Sequence, residues 1–357
     1  MKTSGYYIKS YDGLRGAFVP PVLMTHLGVF DFLYGGAFTH RIWLTISGHT
    51  ALYGFFCLSG FLITTILLKE KEKCGDVSIK RFLIRRALRL LPPLILFYLV
   101  VALFMHQGLI VPQWVALACS VFYCFNFIPN KFWSNELSHT WSLSVEEQFY
   151  LLWPWLIKYL RSKIIYLICI GTVILSIVAI VVYPHISFSY QNETHTIASA
   201  FFEERFLLPA ICPVLCGSVA ALLFFYFNNK VISLIKLSVS VPLCILLMCC
   251  PMYFPSAILP FAFILQAAGL SIFILWITVF NNSIISRILQ TNVLVLVGNM
   301  SYAIYIWQGL FLGTAPTSQK WFQQFPQNLA LTMAVAACSY FIIEKPLMRY
   351  KQKYSNI

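Results

Sequence analysis

Two ionisable side chains, Arg15 and His26, interrupt the first apolar stretch of the chain. They are eleven residues apart, which on a helix is within about 20° of three full turns, so both would lie on one face. At about 1.5 Å per residue they would be about 16 Å apart along the axis, with Arg15 near a membrane surface and His26 at mid-depth. An ionisable group in hydrocarbon costs about 2.5 kcal/mol or more, which favours a function. The alternatives are an interfacial anchor for Arg15 and a hydrogen-bonded core histidine.

A second polar group lies in the segment HTWSLSVEEQFYLLWP, where Glu146 and Glu147 are adjacent. Neighbouring helical residues point about 100° apart, so one carboxylate can face a bundle interior while the other approaches the interface. Glu146 shares a face with Tyr150 and Trp153. A carboxylate at this depth could orient the His26 imidazole and raise its basicity, as in a general base. A glutamate hydrogen-bonded to a tryptophan or tyrosine for packing is the alternative.

A third group lies in KRFLIRRALRLLPP, which carries Arg85, Arg86 and Arg89. Arg86 and Arg89 are neighbours on a helix by their i, i+3 spacing. Arginine forks bind phosphate through two parallel hydrogen bonds, so the cluster suits the phosphates of a nucleotide-like cofactor. Anchoring of a membrane helix by positive charge explains the cluster almost as well.

The composition predicts the elements that must position these residues. The chain is 59% hydrophobic and 10% charged, against about 25% charged residues in soluble domains. It is therefore predicted to be all-α, a polytopic transmembrane bundle that forms one integral domain over residues 1–357. Runs that can cross about 30 Å of hydrocarbon predict ten spans. These are residues 17–34, 46–68, 90–106, 140–160, 164–183, 206–227, 237–254, 257–280, 292–313 and 327–343.

An eleventh apolar run, residues 112–128, is predicted to be a re-entrant or interfacial helix. If it crossed the bilayer, every later basic loop would face outward, against the positive-inside rule. With ten crossings both termini are cytoplasmic, and so are all lysines and arginines except Arg41, Lys131, Arg205 and Lys320. Topology and attraction to anionic lipid then explain the net charge of +13, and no nucleic-acid partner is required.

The eleven cysteines lie mostly in apolar runs and predict buried thiols rather than disulfides. No pair of them has zinc-ligand spacing, so no metal is expected.

Several motifs in order resemble the acyltransferase 3 family of integral membrane acyltransferases. The resemblance covers essentially the whole chain. It rests on YDGLRG with Arg15 and His26, on YGFFCLSGFLIT, RRALRLLPP and HTWSLSVEEQFYLLWP, on GNMSYAIYIWQ, and on a closing IEKP. Members of this family transfer acyl groups, usually acetyl, to cell-surface carbohydrates in bacteria. No SGNH-type esterase domain, which some relatives append, is expected here.

The resemblance also implies roles for individual residues. His26 would be the catalytic histidine with Arg15 as its motif partner, and Glu146 would be the motif glutamate. Arg86 and Arg89, with Arg85 beside them, would bind the acyl-CoA phosphates. Gln308 stands where many relatives carry histidine, which puts proton transfer at that position in doubt. Other motif residues would support the substrate or the site: Asp12, His139, Trp141, Glu147, Tyr150, Ser301, Tyr302 and Gln308.

The expected activity is transfer of an acetyl group from cytoplasmic acetyl-CoA to a hydroxyl of a surface glycan, foremost the lipopolysaccharide O-antigen. The enzyme would lie in the bacterial inner membrane, and the glycan would enter from the periplasmic side. His26 would act as general base; a covalent acetyl-histidine relay is the alternative. Two rival functions stay open: a transporter or flippase of a lipid-linked saccharide, and an acyltransferase for lipid A, peptidoglycan or another glycan.

Overall fold

The computed structural model describes residues 8–29, 42, 45–182, 188–190, 193–195, 205–236, 239–254, 259–313, 318 and 320–348. The expectation of an all-α protein is confirmed within these ranges. The α-helices are α1 (Lys9–His26), α2 (Gly48–Cys74), α3 (Ile79–His106), α4 (Trp114–Val121), α5 (Thr140–Tyr159), α6 (Ser162–Val182), α7 (Leu207–Tyr226), α8 (Asn228–Ile235), α9 (Ser240–Met248), α10 (Cys250–Tyr253), α11 (Leu259–Val279), α12 (Ile284–Leu289), α13 (Asn292–Leu312) and α14 (Gln327–Ser339).

Shorter elements complete the described chain. A π-helix, Tyr340–Glu344, continues α14. Two short strands, β1 (Phe188–Tyr190) and β2 (Glu193–His195), pair antiparallel with Ser189 opposite Thr194. Four 3₁₀ turns lie at Phe125–Phe127, Asn130–Phe132, Asn135–Leu137 and Trp321–Gln323. The two termini, predicted to be cytoplasmic, lie outside the described residues.

Six helices within the described ranges are long and apolar enough to cross a membrane. They are Gly48–Cys74, Ile79–His106, Leu207–Tyr226, Phe261–Val279, Asn292–Leu312 and Gln327–Met348. Counting α8 and α9 as one bent span gives seven. The count of about ten is therefore not confirmed. Hydropathy alone is a poor guide to the number of spans in this chain. Helices α1 and α5, for example, contain charged residues that an ordinary hydrophobic span lacks.

The first predicted span needs a correction. Helix α1 begins at Lys9, earlier than predicted, and ends at His26 instead of continuing past it. The physical reason is the turn that follows, in which Gly28 has a φ of 68°, a left-handed conformation that favours glycine. His26 is thus the last residue of its helix and not a residue of a helix interior. The run 112–128 yields only the eight-residue helix α4, about 12 Å long and too short to cross the bilayer.

The chain forms two compact units. The first unit contains the described parts of residues 1–25, 29–65 and 213–301, and the second contains those of 26–28, 66–212 and 302–357. A single domain over residues 1–357 stays a prediction.

In the first unit, helices α1 and α13 approach each other closely at glycines. A Cβ atom added at Gly298 would lie 1.7 Å from the backbone oxygen of Asp12, and one added at Gly16 would lie 2.0 Å from the backbone oxygen of Leu294. The core beside this contact is apolar and aromatic, with Tyr11 edge-on to Phe61 at a centroid distance of 6.0 Å. Small residues that let helix backbones touch are typical of membrane bundles.

In the second unit, the turn between α2 and α3 is held by polar contacts. The Arg85 guanidinium pairs with the Glu70 carboxylate at 3.0 Å, and Lys158 on α5 pairs with Asp76 at 2.7 Å. Lys71 donates to the backbone oxygens of Ile157 and Lys158 at 2.6 and 3.1 Å. These bonds fasten the end of α2 and the loop after it to the end of α5, and the Glu70–Arg85 pair joins α2 to the turn of α3 that carries the arginine cluster.

We expect Gly298→Ala to destabilise the protein by about 1–3 kcal/mol, because the added methyl group forces two helix backbones apart. Gly171→Ala is the matched control, since a Cβ atom there would meet nothing within 4 Å. The measurement is the thermal midpoint of the detergent-solubilised protein, followed by size-exclusion chromatography. Equal midpoints for the two variants would contradict the close helix contact.

The pKa of the exposed Asp76 carboxyl lies below its usual value. The main cause is the hydrogen bond from Lys158, and the second is the hydrogen bond from the backbone N–H of Val77. The contribution of this carboxylate to stability is therefore present above about pH 4 and is lost as pH falls through the lower folded-state pKa. We expect Asp76→Asn to lower the thermal midpoint at pH 7, and the difference from the unchanged protein to shrink below pH 4. Glu72→Gln, which removes an acid outside the described ion pairs, serves as control. A difference that does not shrink as the pH falls below 4 would contradict the ion-pair account.

Candidate active site

The second unit brings together most of the residues predicted to do chemistry. They come from the last turn of α1, from α3, from the start and middle of α5, from the second half of α13, and from the π-helix after α14. The predicted members are His26, Arg86, Arg89, His139, Glu146, Glu147, Tyr150, Tyr302 and Gln308, and Glu344 on the π-helix joins them although it was not predicted.

The three clustered arginines differ in their surroundings. Arg85 is paired with Glu70, so its guanidinium stabilises the turn between α2 and α3. The Arg86 guanidinium lies over the Tyr150 ring at 4.9 Å from the centroid, and Glu147 on the same helix as Tyr150 lies within its electrostatic range. Stacking on an aromatic face fixes the plane of a guanidinium without using the N–H donors at its edge. Arg86 therefore suits anion binding better than Arg85 does.

Arg89 acts electrostatically on Glu344, a residue that was quoted only as part of a motif and not predicted as a site residue. Glu344 is 5% exposed, and its Oε1 atom has no hydrogen-bond partner within the described ranges. It ends the π-helix, and π-helical turns often mark functional positions. A buried carboxylate beside Arg89 would hold that guanidinium in place when no other anion is present. The motif IEKP was the signal that could have identified it.

Two prolines shape the backbone next to Arg89. Pro92 and Pro93 lie inside α3 and have no N–H group, so the helical carbonyls of Leu88 and Arg89 lose their donors. At the residue directly after Arg89, the Tyr302 hydroxyl donates to the backbone oxygen of Leu90 at 2.9 Å. The segment predicted to bind phosphate thus combines arginine side chains with exposed backbone dipoles, and Tyr302 supports it from α13.

The adjacent glutamates have different neighbours, as the helical geometry predicted. Glu147 lies within electrostatic range of Arg86, Tyr98 and Tyr302. Glu146 lies within electrostatic range of Tyr305 instead. Both carboxylates are partly buried. Glu147 is therefore the carboxylate beside the arginine cluster, and Glu146 belongs to the face with Tyr305.

His139 occupies a central position just before α5. Its ring packs edge-on against Phe97 and Tyr305, each at a centroid distance of 5.5 Å. It is 4% exposed, and neither ring nitrogen has a hydrogen-bond partner within the described residues. His26 lies within its electrostatic range. Two histidines of the second unit are thus neighbours, and burial among aromatic rings favours the neutral form of His139.

Polar groups on α13 lie near this histidine. A Cβ atom added at Gly309 would lie 2.1 Å from Nδ1 of His139, so the imidazole rests on bare helix backbone. The adjacent Gln308 is fully buried, and neither amide atom of its side chain has a hydrogen-bond partner in the described part of the chain. The same holds for the indole N–H of Trp307. Buried polar atoms are nearly always satisfied, so such a concentration indicates groups that bind a ligand or water.

Four predicted residues lie elsewhere or are only partly placed. The Arg15 guanidinium pairs with the Asp12 carboxylate at 2.9 Å in the first unit, which also contains the buried Ser301. Its predicted role as partner of His26 stays a prediction. Trp141, in the first turn of α5, is partly buried. Within the described ranges, no group of three His, Cys, Asp or Glu residues could hold a metal ion.

Chemically, the second unit offers two connected kinds of surroundings. The region of Arg86 and Arg89 is cationic and suits phosphate groups. The region of His26 and His139 is buried and suits proton transfer by a neutral imidazole.

The model of the family described as "Acyltransferase domain" matches residues 8–344. The chain belongs to the acyltransferase 3 family. The motifs that suggested the resemblance lie within this match, except that the closing IEKP extends two residues beyond it.

Relatives of this acyltransferase 3 domain carry related names. A Staphylococcus aureus (strain COL) protein named "Putative O-acetyltransferase" is 28% identical over 386 residues, covering 99% of this chain and 61% of the relative. The peptidoglycan O-acetyltransferase OatA of Listeria monocytogenes is 34% identical over 189 residues, covering 48% of this chain and 28% of OatA. The chain thus spans about three fifths of the first relative. No solved structure matches this acyltransferase 3 domain.

Gln308→Met should separate a structural glutamine from a ligand-binding one. Removing amide atoms that lack partners is expected to stabilise the protein by about 1–3 kcal/mol and to lower its activity. Gln323→Met is the matched control: this amide is also buried, but it donates to the backbone oxygen of Leu310 at 2.9 Å and accepts from Ser318 at 2.6 Å. Thermal midpoints of both variants provide the test. A loss of stability in Gln308→Met as large as in Gln323→Met would show that Gln308 is a satisfied core residue.

Proposed function

We propose that this acyltransferase 3 domain is a membrane O-acetyltransferase that moves an acetyl group from acetyl-CoA to a hydroxyl of a cell-envelope glycan. The observation that supports the proposal most strongly is the combination, in one compact unit, of an arginine pair with the buried His139 and with His26, which is partly buried and within electrostatic range of His139. Phosphate recognition and proton transfer are the two capabilities that an acyl-CoA-dependent O-acyltransferase requires.

The donor would bind through its phosphates to Arg86 and Arg89. Arg86 lies over the Tyr150 ring, and Arg89 is within electrostatic range of Glu344, which would yield to a phosphate of the incoming donor. The Tyr302 hydroxyl fixes the α3 backbone between these arginines and the prolines. Glu147 and Glu344, the glutamates near these arginines, also make the region selective among anions. An anion gains binding energy there only if it displaces a carboxylate or carries more negative charge than the carboxylate does.

The chemical step would follow from a neutral imidazole. The Nε2 or Nδ1 atom of His26 takes the proton of the acceptor hydroxyl while the hydroxyl oxygen attacks the thioester carbonyl. The carbon–sulfur bond then breaks, the ester forms, and the coenzyme leaves as a thiolate that takes up a proton. Nearby donors would stabilise the negative charge that develops on the carbonyl oxygen, and the indole of Trp307 and the amide of Gln308 have donors without partners in the described residues.

The acceptor is the finer part of the proposal. The sequence resemblance suggested lipopolysaccharide O-antigen, whereas the Listeria relative is named for peptidoglycan. Both acceptors offer sugar hydroxyls at the outer face of the cytoplasmic membrane. The family match disfavours the rival function of a transporter or flippase, and we propose the inner membrane as the site of action.

His26→Ala should abolish acetyl transfer, with a loss of at least about 10²-fold to 10⁴-fold in rate, because the general base is removed. The assay is transfer of radiolabelled acetyl groups from acetyl-CoA to isolated O-antigen and, separately, to peptidoglycan by the protein in proteoliposomes. His106→Ala changes an exposed histidine at the end of α3 and serves as the matched control.

Retained transfer by His26→Ala would remove His26 from the mechanism. No transfer by the unchanged protein to either glycan would contradict the proposed function. Equal membrane insertion of both variants, measured by protease protection, is needed for the comparison.

A further inference from the structure

A surface pocket of about 520 Å³ opens in the second unit, where α2 ends, α3 begins and the last turns of α5 pass. Small-molecule sites usually enclose about 300–1,000 Å³, so the pocket has the size of a ligand site. No role was predicted for its lining. Its lining includes two carboxylates, two cations and two aromatic rings: Glu70, Asp76, Lys80, Arg81, Trp155 and Tyr159.

The charges of this pocket favour an anion. Both of its carboxylates are engaged: Glu70 accepts from Arg85 and from the backbone N–H of Ser78, each at 3.0 Å, and Asp76 pairs with Lys158. Lys80 and Arg81 are exposed, and neither is in an ion pair within the described ranges. A negatively charged ligand would therefore meet two cations whose charges are not already neutralised.

Two aromatic rings complete the pocket. Trp155 and Tyr159, one helical turn apart on α5, stack with a centroid distance of 5.9 Å and an interplanar angle of 22°. They are 50% and 66% exposed, so their ring faces are accessible. Planar heterocycles such as nucleic-acid bases stack on exposed aromatic side chains. Cations beside such rings are typical of a site for a phosphorylated nucleoside.

The pocket also lies near the arginines of the candidate active site along α3, with Arg86 and Arg89 turned by about 140° and 80° around the helix from Arg81. Arg81 precedes Arg86 on α3 by five residues, a rise of about 7.5 Å, and Arg89 is about 12 Å away along the same helix. The purine and the ribose phosphate of a nucleotide coenzyme are separated from its diphosphate by a comparable distance. One ligand could therefore contact both groups of cations.

We propose that this pocket binds the 3′-phosphoadenosine end of the acyl donor, with Lys80 and Arg81 on the 3′-phosphate and the Trp155–Tyr159 pair against the adenine. The diphosphate would then continue to Arg86 and Arg89. This inference rests on the proposed function and adds to it a second, separate set of donor-binding residues. A phospholipid headgroup shares the phosphate chemistry but has no ring to stack on the aromatic pair.

The experiment compares three donors with the full chain in proteoliposomes: acetyl-CoA, acetyl-3′-dephospho-CoA and acetyl-pantetheine. The variants are the double change Lys80→Glu with Arg81→Glu, and separately Trp155→Leu. Lys73→Glu is the matched control, because it reverses a charge near the end of α2 outside the pocket. The readout is the ratio of kcat/KM for acetyl-CoA to that for each truncated donor.

For the unchanged protein, we expect removal of the 3′-phosphate to lower kcat/KM about tenfold or more, as loss of a charge-assisted contact would. The double variant should lose that preference while Lys73→Glu keeps it, and Trp155→Leu should reduce the preference for acetyl-3′-dephospho-CoA over acetyl-pantetheine. Binding of adenosine 3′,5′-bisphosphate to the detergent-solubilised protein, measured by calorimetry, should weaken in the same variants.

Two results would overturn the proposal. In one, the unchanged protein uses acetyl-CoA but the pocket variants keep its donor preference. In the other, the variants change only the dependence of activity on anionic phospholipid in the vesicles, which would assign the pocket to lipid headgroups. Failure of the unchanged protein to transfer acetyl from any donor would instead contradict the proposed function.

Discussion

Charged and polar side chains inside an apolar helical protein must be compensated, because an uncompensated charge is far more costly in a low-dielectric interior than in water. The contacts of this chain follow that constraint. Asp12 neutralises Arg15, and Arg86 lies on the Tyr150 ring with Glu147 in electrostatic range. Buried polar groups that have no such compensating contact therefore indicate a function.

The remaining uncompensated groups collect in the second unit. The ring nitrogens of His139, the amide of Gln308 and the indole N–H of Trp307 lack partners in the described part of the chain. Removing any one of them by an apolar residue would relieve a desolvation cost, so selection for stability alone does not explain their presence. Arg86 and Arg89, in another part of the same unit, are better compensated because carboxylates lie in their electrostatic range. A more highly charged ligand can replace these carboxylates.

The sequence predicted the class of fold and the family, and the reasons are physical. Hydrophobic runs and a low fraction of charged residues dictate a helical membrane protein, and the motif order defines the family. Helical periodicity also predicted that Glu146 and Glu147 would have different neighbours. These features depend on local spacing, which a sequence displays directly.

Features that depend on packing between distant segments could not be predicted in this way. The end of α1 at His26 depends on the conformation of Gly28, and the role of Arg85 in a structural pair depends on Glu70 from another helix. Arg89 in α3 and Glu344 near the end of the chain are far apart in the sequence but lie within electrostatic range of each other. The surface pocket arises only where the ends of three helices meet, so no run of sequence letters indicates it.

The central claim is that one compact unit binds the acyl donor from its nucleotide end to its thioester end. An electron cryomicroscopy map of the full chain with a non-hydrolysable acetyl-CoA analogue tests it most directly. The account predicts density for the adenine beside Trp155, for the diphosphate at Arg86 and Arg89, and for the acetyl group beside His26. Density for the nucleotide at any other surface, or an acetyl group remote from His26, would contradict it.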